Sequence, residues 1–242
     1  MSGGVDSSLT AALLKEQGYE VTGVYMKNWT QNMPGLECPW AEDLADAKRV
    51  AVSLDIDFKV FDFEDEYRHK VVQYMIDEYT LGRTPNPDIM CNQEVKFKLF
   101  LEAAKEDGAD LIATGHYAKV EHKNNTGYLK RAIDKSKDQT YFLYRITGEA
   151  LKDTLFPIGE FEKNEVRKMA EERGLFTAAK KDSQGICFVG QIGIRDFLSQ
   201  FVKTTSGNII DKKSGKILGQ HDGAIFYTLG QRHGLDVGGG MP

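Results

Sequence analysis

The chain has 242 residues, 41% of them hydrophobic and 28% charged, with a formal net charge of −5. That length holds one large domain, or one domain and part of another, around a real core, and the composition excludes wholesale disorder. No apolar run approaches the roughly 18 residues of a membrane span and no signal-peptide pattern opens the chain, so a cytoplasmic protein without a membrane segment is expected; the acidic balance means that any RNA site must be a local basic patch.

In chain order, Ser2-Gly3-Gly4-Val5-Asp6-Ser7-Ser8 comes first. Two glycines allow a tight turn with amides free to face a ligand. A helix predicted over 7–17 follows, and a Gly-rich turn feeding a helix N-terminus is an anion site. The loop lacks the Lys-Ser/Thr ending of a Walker loop. The plainer alternative is a flexible terminus with Asp6 or Ser7 as an N-cap. Only Met1 precedes the loop, where a strand is expected, and truncation is the favoured reading.

Strands are predicted over 20–26, 57–62 and 110–114, and helices over 41–54, 64–81 and 94–106. This alternation predicts an α/β fold, a doubly wound and mainly parallel sheet. Ligands of such sheets sit beyond the carboxyl ends of strands, where Ser2, Met26 and Gly115-His116 fall. A hairpin is expected around 122–127, then amphipathic helices over 163–173 and 194–202. Short strands are predicted over 208–211, 216–218 and 224–229. Residues 1–193 are expected to form the main domain and 194–242 a small, incomplete one.

Three cysteines, Cys38, Cys91 and Cys187, are too few and too scattered for a disulfide framework or a zinc site. In Asn86-Pro87-Asp88-Ile89-Met90-Cys91 the spacing sets a carboxylate one helical turn from a thiol. With Cys91 ahead of a helix starting near Glu94, the helix dipole would favour thiolate. A buried structural cysteine in a Pro-stiffened loop is the rival. Cys187, in an apolar run after a polar turn, reads by itself as core. Lys137-Asp138-Gln139 could meet phosphates or a base edge, though a solvated turn explains the local pattern better. His116 is a structural histidine or a site residue on equal terms.

Together these motifs carry a resemblance. SGGVDSS is similar to the pyrophosphate loop of the ATP pyrophosphatases. The ordered set SGGVDSS, GVYMKNW, GRTPNPDIMCNQEVKF, ATGHYA, KDQTYFL, FPIG, KDSQGICFVG and GQHDGAIFYTLGQRHGL resembles the bacterial tRNA-specific 2-thiouridylases almost from end to end. The resemblance implies ATP-dependent 2-thiolation of the wobble uridine of tRNA by adenylation of the C2 oxygen and sulfur transfer from a persulfide. Ser2, Gly3, Gly4, Val5, Asp6 and Ser7 would hold the phosphates of ATP, Asp6 would ligate Mg²⁺, and Met26 and Gly115 would line the adenosine pocket. Cys187 would carry the persulfide, Cys91 would be its partner thiol through a transient disulfide, and Asp88 would be the acid/base group. Asn86, Pro87 and Asp88 would meet the target base, and His116, Lys137, Asp138 and Gln139 the tRNA. The implied sulfur donor is a cysteine desulfurase or a sulfur-carrier protein. Against the family pattern, the first strand and the C-terminal β-barrel are expected to be missing. The rivals are another adenylating ligase of the same superfamily, and a non-catalytic nucleotide- or RNA-binding remnant.

Overall fold

The computed structural model describes residues 1–31, 40–181, 194–231, 233–235 and 237, and Cys38 and Cys187 lie outside the described residues. Helix α1 (Val5–Glu16) leaves the Gly3-Gly4 turn directly. Its N-cap is Gly4, and no side chain caps it. Asp6 and Ser7 therefore sit inside the first turn rather than capping it, because Gly4 already supplies the extended backbone a cap needs. Strand β1 (Thr22–Lys27) follows, then α2 (Trp40–Ser53) and β2 (Asp57–Asp62). The two strands pair in parallel from Thr22↔Asp57 to Lys27↔Asp62, which makes a βαβ unit. The Met1 amino group donates to the Val24 carbonyl, so the residue ahead of the loop lies along β1.

Helix α3 runs over 64–80 with a π-wound middle turn, Arg68–Val72. Helix α4 runs over 87–106, and its stretch Cys91–Leu99 is π-wound. This helix starts well before Glu94, the expected beginning. The Asn86 side chain caps it by accepting the amides of Asp88 (3.1 Å) and Ile89 (3.3 Å). Pro87 takes the first helical position, where its missing N–H costs nothing.

Strand β3 (Ile112–Ala113) is short, and the hairpin β4 (Ala118–Lys123) and β5 (Thr126–Arg131) comes next. Its two-residue turn holds Asn124 and Asn125 at φ 52° and 59°, the left-handed pair that Asn tolerates and tight hairpins need. Helix α5 (Gly148–Lys152) leads into β6 (Thr154–Leu155), which pairs in parallel with β3. Helix α6 (Lys163–Glu172) begins with a capping box between Glu162 and Glu165. Then come α7 (Ile194–Ser199) and the antiparallel pair β7 (Gly207–Ile210) and β8 (Ile217–His221).

The expected single sheet is recorded, among the described residues, as two parallel ladders, β1–β2 and β3–β6. The strand expected over 224–229 is a 3₁₀ turn, Ala224–Phe226. The amides of Phe226 and Tyr227 bond back to Gly223 and Ala224, which ties the segment to itself instead of to a neighbouring strand.

Two apolar clusters result. In one, α1 is enclosed: Val5, Leu9, Ala12 and Leu13 meet Val50 of α2 and Val166 and Ala170 of α6. Leu9, Val50 and Val166 are wholly buried, and burial of each contributes about 1.5–3 kcal/mol. The other joins α3 and α4 through Val71, Met75, Val95 and Phe100, and takes in Phe197 and Leu198 of α7. Helix α7 thus packs into the core of the α/β unit. Among the described residues no helix is long and apolar enough to cross a membrane.

Candidate functional site

The turn before α1 is held open by glycine. Gly3 has φ +71°, and a Cβ there would lie 2.7 Å from the Asp43 carbonyl oxygen. Ser7 Oγ accepts the Ser2 amide at 3.2 Å and donates to the Gly4 carbonyl at 3.2 Å. No side chain caps α1, so its first amides carry no side-chain capping bond and the positive end of the helix dipole lies at the turn. The second close approach is Gly115, after β3: a Cβ would lie 2.8 Å from Asp6 C and Ser7 N. The sequence predicted both features for a ligand crevice, and the fold brings them into contact. Met26, in β1, is half-buried against the α3–α4 cluster.

Asp6 is not a bare carboxylate. Lys163 Nζ donates to both its oxygens, at 2.8 and 2.9 Å, and the Tyr117 hydroxyl donates to Oδ1 at 2.9 Å. Lys163 is 8% exposed. Its ammonium also lies 5.4 Å from the Tyr117 ring centroid, and its backbone amide donates to Asp134 Oδ2 at 3.0 Å. That bond, with those from Ser136 and Lys137, holds the Asp134 carboxyl down at about 2, the Ser136 hydroxyl being the largest cause. Lys163 was not among the sequence candidates. It reads there as the polar first residue of an amphipathic helix, and only the fold joins positions so far apart.

The other motif gathers on α4. Asp88 lies in its first turn and Cys91 one turn on, a buried thiol. Cys91 is therefore inside the helix, not ahead of it, and the N-terminal dipole acts mainly on Asp88. Burial pushes the Asp88 carboxyl up, against the opposing charge of Lys96. Burial also holds His116 neutral, well below the ordinary imidazole value, and Lys96 adds to this. The His116 ring stands between Phe97 and Phe156, with centroids at 5.7 and 6.1 Å. Its Nδ1 shares a hydrogen bond with Thr114 Oγ1 at 2.8 Å. A half-buried carboxyl raised toward neutrality beside a thiol suits proton transfer. Lys96, on the π-wound stretch between these groups, is a second residue the sequence did not single out.

The path from thiol to anion turn is short in contacts. Cys91 shares α4 with Phe97, Phe97 packs on His116, and His116 follows Gly115, which abuts Asp6 and Ser7. Cys187 lies outside the described residues. The Lys180 ammonium is held by Asp43 (3.0 Å) and Asp46 (2.7 Å), the residues against which Gly3 packs.

The 137–139 segment is structurally busy. Asp138 accepts the Ala132 amide at 2.8 Å, and the Gln139 side chain accepts the Tyr117 amide at 2.9 Å. Beside them Tyr141 and Tyr144 are exposed, on an open cavity of about 450 Å³ also lined by Leu129 and Arg131. Asn92 on α4 ties this segment to the thiol helix through the Phe142 carbonyl at 3.0 Å.

Among the described residues no three His, Cys, Asp or Glu side chains gather to hold a metal ion. A single carboxylate, Asp6, at an anion turn fits Mg²⁺ held chiefly by phosphate oxygens.

Residues 1–191 match the family model described as the tRNA methyl transferase HUP domain, and residues 195–241 the one described as the tRNA methyl transferase PRC-barrel domain. A tRNA-specific 2-thiouridylase MnmA of Legionella pneumophila (strain Lens) is 54% identical over 239 residues, 99% of this chain and 66% of that protein. The protein of that name in Enterococcus faecalis (strain ATCC 700802 / V583) is 52% identical over 241 residues, 99% of this chain and 64% of that protein. The chain thus spans just under two thirds of the length of these relatives. Among solved structures, a predicted subunit of a tRNA methyltransferase from Methanocaldococcus jannaschii superposes with a TM-score of 0.41 at 18% identity, over 70% of this chain and 72% of that one. That likeness is too slight to argue from.

Proposed function

The chain belongs to the family of the tRNA methyl transferase HUP domain, an α/β fold with parallel strands, and from that premise we propose that it takes part in ATP-dependent 2-thiolation of the wobble uridine of tRNA. The family model is named for methyl transfer, whereas the relatives above 50% identity are named for 2-thiolation. The residues favour the second: an anion turn for ATP and a buried thiol beside a raised carboxyl are what activation and sulfur transfer require. The observation that supports the reading is a chain of contacts from the anion turn to the helix of the thiol motif, with Gly115 against Asp6 and Ser7 and its neighbour His116 against Phe97, six residues beyond Cys91.

In this reading Ser2 to Ser7 hold the phosphates, and Met26 and Gly115 border the adenosine. Mg²⁺, when bound with the nucleotide, would screen phosphate charge, with Asp6 as its protein ligand. The uridine C2 oxygen attacks the α-phosphate and pyrophosphate leaves, which turns a poor leaving group into AMP. Asn86, Pro87 and Asp88 receive the base, which must leave its stack, and Asp88 moves the proton. Cys187 carries the persulfide. Attack by the Cys91 thiolate on the Cys187 sulfur releases hydrosulfide and leaves a Cys91–Cys187 disulfide. Hydrosulfide then displaces AMP at C2; direct attack by the terminal persulfide sulfur gives the same product. Two electrons from a thiol reductant reset the pair. The neutral His116 forms an inner wall of the tRNA site. The segment 137–139 supports an outer surface whose exposed rings, Tyr141 and Tyr144, can stack on unpaired bases. Residues 1–193 would form the catalytic unit and 194–242 a small second domain, joined to it by the packing of α7. The sulfur donor would be a cysteine desulfurase or carrier protein, and the setting cytoplasmic.

The test supplies a persulfide donor, ATP and substrate tRNA, and follows pyrophosphate release and thiolated tRNA together. Cys91→Ala and Cys187→Ala should each abolish thiolation while adenylation continues. Thiolated tRNA from Cys187→Ala, or no tRNA-dependent pyrophosphate from the unaltered chain, would sink the reading.

A further inference from the structure

We propose that Lys163 is the phosphate-binding cation of the anion turn, held in reserve by Asp6 until nucleotide enters. The proposal rests on the reading of the turn as an ATP site and adds a residue to it. The loop has no lysine of its own at the place where a Walker loop carries one. The fold supplies an ammonium from 157 positions further along the chain, on the Asp6 carboxylate.

Three features hold Lys163 there. The Glu162–Glu165 capping box fixes the start of α6, Asp134 accepts the Lys163 amide, and the Tyr117 ring lies beside the ammonium. A pair that only stabilised the fold would be a poor use of the position. Burying charges costs about as much as their attraction returns, and well-packed apolar residues do as well. Asp6 also stands in the first turn of an uncapped helix, where its negative charge occupies the field meant for an anion.

Entry of the magnesium–nucleotide complex resolves this without leaving a charge unpaired. The Lys163 ammonium would pass from the Asp6 oxygens to phosphate oxygens, and the freed Asp6 carboxylate would be available to hold the magnesium ion. No bond is made or broken, and the local charge balance is kept. Asp6 is therefore a metal ligand only after Lys163 has let go. In the absence of metal, Asp6 and phosphate compete for the same ammonium.

That competition gives the test its sign. Equilibrium binding of inorganic pyrophosphate and of ATP is measured without divalent metal, on the full chain and on Lys163→Gln, Asp6→Asn and the double variant. Lys163→Gln should weaken both ligands by about 10- to 100-fold, the range for a lost hydrogen bond to a charged group. Asp6→Asn should leave metal-free binding unchanged or tighten it, since it frees the lysine and removes a repelling charge. The double variant should bind more weakly than Asp6→Asn, though less weakly than Lys163→Gln, whose unpaired carboxylate also repels phosphate. If Lys163→Gln alone does not fold, Asp6→Asn against the double variant isolates the lysine in a pair that carries no lone buried carboxylate. Equal binding by those two, or equal weakening by Asp6→Asn and Lys163→Gln, overturns this proposal alone. Failure of the unaltered chain to bind either ligand overturns the ATP-site reading itself.

Discussion

Alanine at Gly115 isolates the contact between the two motifs. The added Cβ would lie 2.8 Å from Asp6 C and Ser7 N and 3.0 Å from Asp6 Cβ. Two of those atoms are backbone at the start of α1, so no flexible side-chain tip can swing aside. Ordinary contact begins near 3.4 Å, so the strand end and the helix must part by about 0.6 Å. Overpacking of this kind costs about 1–3 kcal/mol, a fall in Tm of about 2–12 °C for a chain of this size. Gly115 carries no positive φ, so the penalty is one of space and not of backbone strain. The displacement falls on the amides that would meet phosphate, and a misplacement approaching 1 Å costs up to about 100-fold in function. Thermal unfolding and ATP titration of Gly115→Ala measure both effects. Unchanged Tm and unchanged ATP affinity would show that β3 does not set the anion turn, and the account of the site would fail.

Asn86→Ala removes the cap of α4 and should cost about 1 kcal/mol in chemical denaturation; because the same helix carries Asp88 and Cys91, thiolation should fall more than stability. Asp88→Asn should raise Tm at neutral pH, because burial makes the ionised carboxyl costly in the folded state. With a folded pKa above the usual ~3.9, the wild-type contribution is fully present below that value and lost as pH rises through the folded one. The Tm gap should therefore close at low pH, and a gap constant with pH refutes the cause. His116 has a depressed pKa from burial, so its contribution is present above the usual ~6.5 and is lost as pH falls through the folded value. Unfolding free energy measured from pH 8 to 5 should decline below about 6.5 and decline less in His116→Asn; an imidazole that titrates near 6.5 by NMR excludes the buried placement.

The α/β alternation and the positions of most elements were legible because hydrophobic spacing reports which face of a helix is covered. The hairpin was legible from its Asn-Asn turn. The start of helix α4 was not, since Pro87 reads as a breaker until Asn86 is seen to cap it and proline to occupy the one helical position that needs no N–H. The two-residue pairing of β3 with β6 gave no sign in a period of two residues. In the candidate site, the glycine turn and the one-turn spacing of Asp88 and Cys91 were legible because both are local geometry. Lys163 and Lys96 stayed hidden because a lysine on an amphipathic helix is indistinguishable, in one dimension, from a solvated one.

The union of Asp6 with Lys163 also bears on how the protein is made. A nascent chain that has exposed its first hundred and fifty residues already displays the glycine turn, yet its aspartate has no counter-ion. The pair therefore forms only once residue 163 has emerged, and on the proposal above, translation products that stop inside the hairpin or α5 would lack the cation and hold a nucleotide less tightly.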